Sequence, residues 1–218
     1  MESISQMTLK EVAMTQVNQR LILQAISWEF YEQLLDEFKS SNALHFAYDN
    51  GILEVEVPLY KHERPTEILR DLVTNICIEK EIDMINAGKT TFRTRAKAKG
   101  VEPDSCFYIQ NEIKIRGLKD LDLSKDPPPD LVIEVDITSP SLDKLPIYAS
   151  LGVSEVWLYK SERVEFLKLV SGKYQKVKNS IALPMLSSDK ANEFLLKGLQ
   201  ENYIKWVKEI REWVKQNA

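Results

Sequence analysis

Three consecutive prolines, Pro127-Pro128-Pro129, run directly into Asp130-Leu131-Val132-Ile133-Glu134-Val135-Asp136-Ile137. That junction constrains the fold more than any other part of the chain. The prolines favour an extended spacer without internal hydrogen bonds. Beyond them Leu131, Ile133, Val135 and Ile137 alternate with Asp130, Val132, Glu134 and Asp136, the period-two pattern of a β-strand. One face is wholly aliphatic and belongs against a core. The other would hold three carboxylates along a run of only ~20 Å, at ~3.3 Å per residue. Two readings follow. Either the sheet has one wet face with its charges in water, or the acids are partly buried and a cation, a proton or hydrogen-bond donors hold them together. A divalent metal ion would supply the cation.

With 218 residues, 44% hydrophobic and 28% charged, the chain is long for one domain, short for two, and rich enough in apolar residues for a core. No apolar run approaches the ~18 residues of a membrane span. Met1-Glu2-Ser3-Ile4-Ser5-Gln6 lacks a basic stretch before an apolar block, so no secretory signal is expected. Cys77 and Cys106 form neither a disulfide framework nor a metal pattern, and a reduced, cytoplasmic compartment is the expectation. The net charge of −4 argues against a general nucleic-acid coat. It leaves room for a nuclease, whose carboxylates a metal ion offsets. Arg93, Arg95, Lys97 and Lys99 alternate with Thr94, Ala96 and Ala98. In an extended segment they would project to one side and could track a phosphate backbone, or simply guard an exposed sheet edge.

Residues 1–24 read as a polar arm. Ser27 is placed to cap a helix through Trp28, Phe30, Tyr31, Leu34, Leu35 and Phe38, one buried stripe at helical spacing. Ala43–Phe46 and Ile52–Val57 flank Asp49-Asn50-Gly51, a hairpin signal. A helix is expected from about Arg64 to Glu81 with Pro65 in its first turn, then strands at Thr90–Thr94 and Cys106–Gln110. After the acidic strand come a turn at Ser139–Leu142, a short helix to Leu151 stopped by Gly152, and strands at Val156–Tyr159, Arg163–Val170 and Tyr174–Val177. Near the end Leu199, Tyr203, Trp206, Val207, Ile210 and Val214 mark a helix, with Gly198 separating it from a preceding turn at Asn192–Lys197. The expected fold is α/β or α+β, a mixed central sheet flanked by helices, with an N-terminal helix and hairpin. Residues 25–188 would form the main domain and 189–218 a helical extension. Trp206, Trp213 and Tyr203 would pack it on that domain or serve as anchors of a dimer interface.

A hydrolytic metal site needs two or three oxygen ligands, room for water and a cation for the phosphate. Glu134 lies mid-strand, opposite the aliphatic face, and Asp104 opens another strand; if the strands are neighbours the two acids can meet. Lys144 begins the helix that follows, within reach of the same point. Taken singly, Asp104 also suits a turn after proline, and Lys144 a solvated helix position.

The combination resembles a bacterial family of restriction-endonuclease-like proteins, the Uma family of the PD-(D/E)XK nuclease superfamily. The resemblance runs from Ser27-Trp28-Glu29-Phe30-Tyr31 to the Trp206 helix. Its markers are Ala47-Tyr48-Asp49-Asn50-Gly51-Ile52-Leu53-Glu54, His62-Glu63, Thr90-Thr91-Phe92-Arg93, Glu102-Pro103-Asp104, Pro128 to Val135, Ser139-Pro140-Ser141, Lys144, Tyr148 and Gly152 to Trp157. It implies a restriction-endonuclease-like fold and metal-assisted hydrolysis of phosphodiesters, with DNA as the substrate class. Asp104 and Glu134 take the two acidic positions, and with the carbonyl of Val135 they would hold Mg²⁺ or Mn²⁺. The superfamily's lysine normally lies two residues after the second acid, where this chain has Asp136. Lys144 would replace it. Glu67 would add a carboxylate behind the ligands, and His62 matches a recurring histidine, which could also merely begin its helix. No membrane partner is expected, given the lack of a long apolar run, and a homodimer would suit cutting both strands. The displaced lysine also keeps open a nuclease fold that has lost catalysis and binds nucleic acid or a protein.

Overall fold

The structure is a computed structural model that describes residues 20–39, 44–57, 59–137 and 142–217. Of the expected polar arm, residues 1–19 lie outside the described residues, as do Ala43 and the Ser139–Ser141 part of the expected turn. In chain order the first elements are β1 (Arg20–Leu23), α1 (Trp28–Phe38), β2 (His45–Asp49), β3 (Ile52–Glu56), α2 (Tyr60–Glu79) and β4 (Ile85–Asn86). Next come β5 (Phe92–Thr94), β6 (Lys99–Val101), β7 (Ser105–Tyr108), α3 (Glu112–Ile115), β8 (Leu131–Val135) and α4 (Leu145–Leu151). The chain closes with β9 (Glu155–Lys160), β10 (Arg163–Val170), β11 (Lys173–Val177), α5 (Ser188–Gln200) and α6 (Tyr203–Gln216). This is the α+β arrangement of strands flanked by helices that the sequence called for, built on two sheets rather than one.

The first sheet has strand order β1-β3-β2-β6-β5 and the second β11-β10-β9-β8-β7-β4. The first is antiparallel throughout. In the second, β8 pairs parallel with β9 across the α4 crossover and antiparallel with β7. Residues 102–104 are the short link that carries the chain from one sheet to the other. Arg20–Leu23, assigned to the arm from sequence, form the edge strand β1 against β3. Ser27 caps α1 by accepting from the Phe30 N–H at 3.1 Å. Trp28, Tyr31, Leu34, Leu35 and Phe38 form its buried stripe, while Phe30 points outward. Asn50 and Gly51 both take positive φ, as the β2–β3 hairpin turn requires. Helix α2 starts one turn earlier than expected, so Pro65 sits inside it.

Strand β8 is buried along its whole length. On one face Leu131, Ile133 and Val135 pack with Leu69, Leu72 and Val73 of α2, with Trp157, and with side chains of α5 and α6. On the other, Val132 joins Cys106, Val156, and Ile147 and Tyr148 of α4. The wet face allowed by the sequence is therefore roofed by the crossover helix, and Glu134 on it is buried, while Asp136 beyond the strand end stays partly exposed. Tyr108 and Asp130 tie down the proline spacer: the Tyr108 hydroxyl donates to the Pro127 carbonyl at 3.2 Å, and the Asp130 N–H to the Phe107 carbonyl at 3.0 Å.

Two expectations about local shape are corrected. The Arg93–Lys99 segment does not run extended. It turns through a 3-10 helix at Arg95–Lys97 and a left-handed Ala98 at φ 47°, forming the β5–β6 hairpin. A four-residue connection of this kind cannot hold alternate side chains in one row. Gly198 does not separate two helices either; it lies within α5, and the break falls at Glu201-Asn202, where Asn202 caps α6. A Cβ at Gly198 would lie 2.7 Å from the Ile68 side chain and 2.9 Å from Trp206, so the glycine is there for close approach. In an open helix Gly→Ala stabilises by about 1 kcal/mol, whereas overpacking a core costs about 1–3 kcal/mol. Gly198→Ala should therefore lower the urea midpoint, and a raised midpoint would show that the contact yields.

Candidate functional site

The register places Ser105 opposite Ile133, so Asp104, one residue before β7, falls beside Glu134 and Val135 near the end of β8. The Val135 N–H donates to Asp104 Oδ2 at 2.7 Å. Glu134, on the roofed face, meets two side chains one helical turn apart. Lys144, at the N-cap of α4, donates its ammonium to Oε1, and the Tyr148 hydroxyl donates to Oε2 at 2.6 Å. Asp104, Glu134 and Lys144 are each no more than 9% exposed. The structure thus brings together the three residues expected to carry chemistry, with Val135 between them.

Sequence reasoning missed the wall that the first sheet contributes. Glu54 and Glu56 of β3 are buried at 1% and 5% exposure and face the same point. Glu56 lies 4.0 Å from the Lys144 ammonium and 2.7 Å from Arg20 Nη2, and Glu54 accepts from the Leu142 N–H at 2.7 Å. Arg20 also approaches Glu54 and Asp136, at 3.7 Å each. His45, opposite Glu56 in the β2–β3 register, places Nδ1 3.7 Å from Asp104 Oδ1. His62 stands 3.3 Å from Glu56, so it is part of the wall as well as the start of α2. A signal existed: Leu53 and Val55 alternate with Glu54 and Glu56, the same aliphatic-against-acidic pattern as in β8.

Burial, then the nearby Glu134 charge, pushes the Asp104 carboxyl up from its ordinary range. Burial likewise raises Glu54, although Lys144 and Arg20 pull against it. For Lys144 burial disfavours the charge, but Glu134, Asp104, Glu56 and Glu54 outweigh it and hold the ammonium above its usual pKa. Burial, with the Lys89 and Lys144 charges, depresses His45 to about 3, so its ring is neutral. A cavity of about 380 Å³ opens onto this cluster, lined by Arg20, Glu134, Asp136, Lys144 and Lys160 among others.

Other expected residues fall elsewhere. Glu67 pairs with Arg70 on the half-exposed part of α2 rather than standing behind the ligands. Asp136, where the superfamily's lysine would be, accepts from Lys160 at 2.8 Å. Asp130 holds the loop after β7, accepting from the N–H groups of Ile109 and Asn111 at 2.8 and 2.9 Å. Of the four cations, Arg93 lies 3.9 Å from Glu32, Arg95 reaches Glu29, Lys97 donates to the Ser150 carbonyl, and Lys99 pairs with Asp49 at 2.5 Å. Among the described residues no three His, Cys, Asp or Glu side chains form a ready metal cage. What the site offers is a pair of carboxylates, hard-oxygen donors that suit an ion keeping several of its waters. Burial and, after it, repulsion from Glu134 lift Asp104, and a divalent cation would relieve the repulsion.

The family model described as "Uma2: Putative restriction endonuclease" matches residues 28–200. A crystal structure of "a putative nuclease belonging to DUF820" from Anabaena variabilis ATCC 29413 aligns with a TM-score of 0.51 at 16% identity, covering 74% of this chain and 98% of that one. At that identity the likeness is one of fold. No curated protein matches the chain. No helix among the described residues is long and apolar enough to cross a membrane.

The raised Asp104 pKa has a measurable sign. A carboxyl with a folded pKa above its unfolded value of about 3.9 contributes stability in full below that value and loses it as pH rises through the folded one. Asp104→Asn fixes the neutral form. In metal-free buffer the melting temperature of the variant minus that of the parent should therefore grow from about pH 5 to about pH 8. A difference that stays flat would show that no proton is held at Asp104.

Proposed function

Because the chain belongs to the Uma2 family of restriction-endonuclease relatives, we propose that it is a divalent-metal-dependent endonuclease hydrolysing phosphodiester bonds in DNA. The meeting of Asp104 and Glu134 across the β7–β8 pair, with the Lys144 ammonium on Glu134, carries this reading. Asp104, Glu134 and the Val135 carbonyl would hold Mg²⁺ or Mn²⁺. When bound, the ion polarises the phosphate and lowers the pKa of a coordinated water.

The remaining work falls to the chain itself. The Val135 N–H fixes Asp104 through Oδ2 and leaves Oδ1 toward His45. Tyr148 fixes Glu134 in the same way. Lys144 is held protonated by its carboxylate neighbours, so it acts as a charge donor to the phosphate or its water rather than as a base. A preformed cation aimed at developing negative charge is the largest single contribution such sites make. Arg20 and Lys160, lining the same cavity, would attract the flanking backbone. A homodimer would place two such sites on one duplex.

The test is supercoiled plasmid with Mg²⁺ or Mn²⁺, comparing the parent with Glu134→Ala and Lys144→Ala. The parent should nick or linearise the plasmid, and each variant should lose at least about 100-fold in rate. Equal residual cutting by all three proteins would overturn the assignment and favour a nuclease fold kept for binding alone.

A further inference from the structure

A second cleft, of about 330 Å³, meets the Asp104 neighbourhood through His45, which forms part of its wall. We propose that this cleft binds a phosphate of the substrate strand, next in line to the phosphate at Asp104 and Glu134; the inference rests on the nuclease reading above.

His45 is only 4% exposed, and neither ring nitrogen has a hydrogen-bond partner among the described residues. The Asp104 oxygen at 3.7 Å is too far to accept. An imidazole carries at least one N–H in either protonation state, and leaving it unpaired in a buried place is costly. Both nitrogens are sealed off as the wall stands, so a phosphate oxygen would satisfy the N–H only with a small opening of the cleft wall at His45. Lys39, Lys89 and Arg93 line the same cleft and supply positive charge. Lys89 is shared with Glu63 at 2.7 Å, but both side chains are about one-third exposed, and such surface pairs are weak enough to be exchanged for a phosphate.

Two acids also line the cleft, Glu102 and Asp36. Glu102 accepts from the Thr91 hydroxyl at 2.6 Å and the Phe46 N–H at 3.0 Å, and with Asp36 it opposes an anion, so Lys39, Lys89 and Arg93 must outweigh the two. Phe38 and Phe46 also line the cleft, but both are buried in the core beneath it and their rings are tilted at 46°, so what the cleft presents is chiefly hydrogen-bond donors and cations. That donor set recognises a phosphate and positions a strand without reading its bases. Because His45 touches Asp104 on one side and the cleft on the other, a strand seated at both would pass over a single imidazole.

Binding of a fluorescently labelled duplex oligonucleotide, followed by anisotropy in Ca²⁺ over a series of NaCl concentrations, tests this. The double variant Lys89→Ala/Arg93→Ala should bind about three- to tenfold more weakly at low salt, and its log–log salt slope should be shallower by about one. Lys208→Ala, on the exposed face of α6, is the control and should match the parent. His45→Gln, which keeps a donor, should bind like the parent, and His45→Leu like the double variant, with melting temperature reporting the fold of each. If the parent cuts plasmid and the double variant keeps the parental slope, the cleft assignment falls and the nuclease stands. If the slope changes but the parent never cuts, the nuclease reading falls and the cleft remains a nucleic-acid site. Absence of binding by the parent would overturn both.

Discussion

Four carboxylates in one buried seam, Glu54, Glu56, Asp104 and Glu134, force much of the architecture around them. Acids this close cannot all stay charged without cations, and removing one partner from a buried pair costs about 3–5 kcal/mol. Two cations answer them, each from a different part of the chain. Lys144 comes from the start of the α4 crossover and Arg20 from the edge strand β1. The seam is bridged by Lys144, which stands 4.0 Å from Glu56 of β3 in the first sheet and pairs with Glu134 of β8 in the second, so neutralising it also helps fix how the two sheets sit together. Each cation is positioned only if its own element docks. The charge balance and the fold are one constraint.

That coupling explains what the sequence disclosed and what it hid. Elements with a strong period were legible: the β8 alternation, the α1 stripe behind Ser27, the Asn50-Gly51 hairpin and the Gly152 cap of α4 all appear where local chemistry placed them. Boundaries and pairings set by distant packing were not. Pro65 suggested a helix start, yet the chain enters α2 a turn earlier and absorbs the proline. Gly198 suggested a break, yet it is the point where Ile68 and Trp206 crowd against α5. The alternating cations of 93–99 suggested a strand, and the need to return to β2 through β6 folded them into a hairpin. The division into two sheets was invisible because it depends on which strands pair across the Glu102-Pro103-Asp104 link.

The candidate site divides in the same way. Asp104, Glu134 and Lys144 became candidates through their combination and its resemblance to a family pattern, since Asp104 and Lys144 taken singly also suit a turn and a solvated helix position. Glu54, Glu56 and Arg20 are contributed from elsewhere in the chain; Glu54 closes the marker segment that begins at Ala47, but nothing in that segment pointed to a role at the site, and Glu56 and Arg20 lie in no marker at all. The acids of β3 nonetheless obey the rule that singled out β8, an aliphatic face backed by carboxylates. A strand of that kind is ambiguous by itself. Two of them in one chain, with too few cations nearby in sequence, point to a shared buried seam more strongly than either does alone.

The displaced lysine is best understood through the same charge balance. A lysine two residues beyond Glu134 would project from the strand, as Asp136 now does toward Lys160 and Arg20. In this chain the position has the opposite sign and is answered from β9 and β1 instead. The ammonium that reaches Glu134 enters from the crossover helix, and the Tyr148 hydroxyl one turn later holds the other carboxylate oxygen. Moving the cation from strand to helix preserves its target but changes what it depends on. The strand version needs only β8 to be formed. Here Lys144 is in place only when α4 has packed over β8, so the charged site and the closure of the crossover are assembled together.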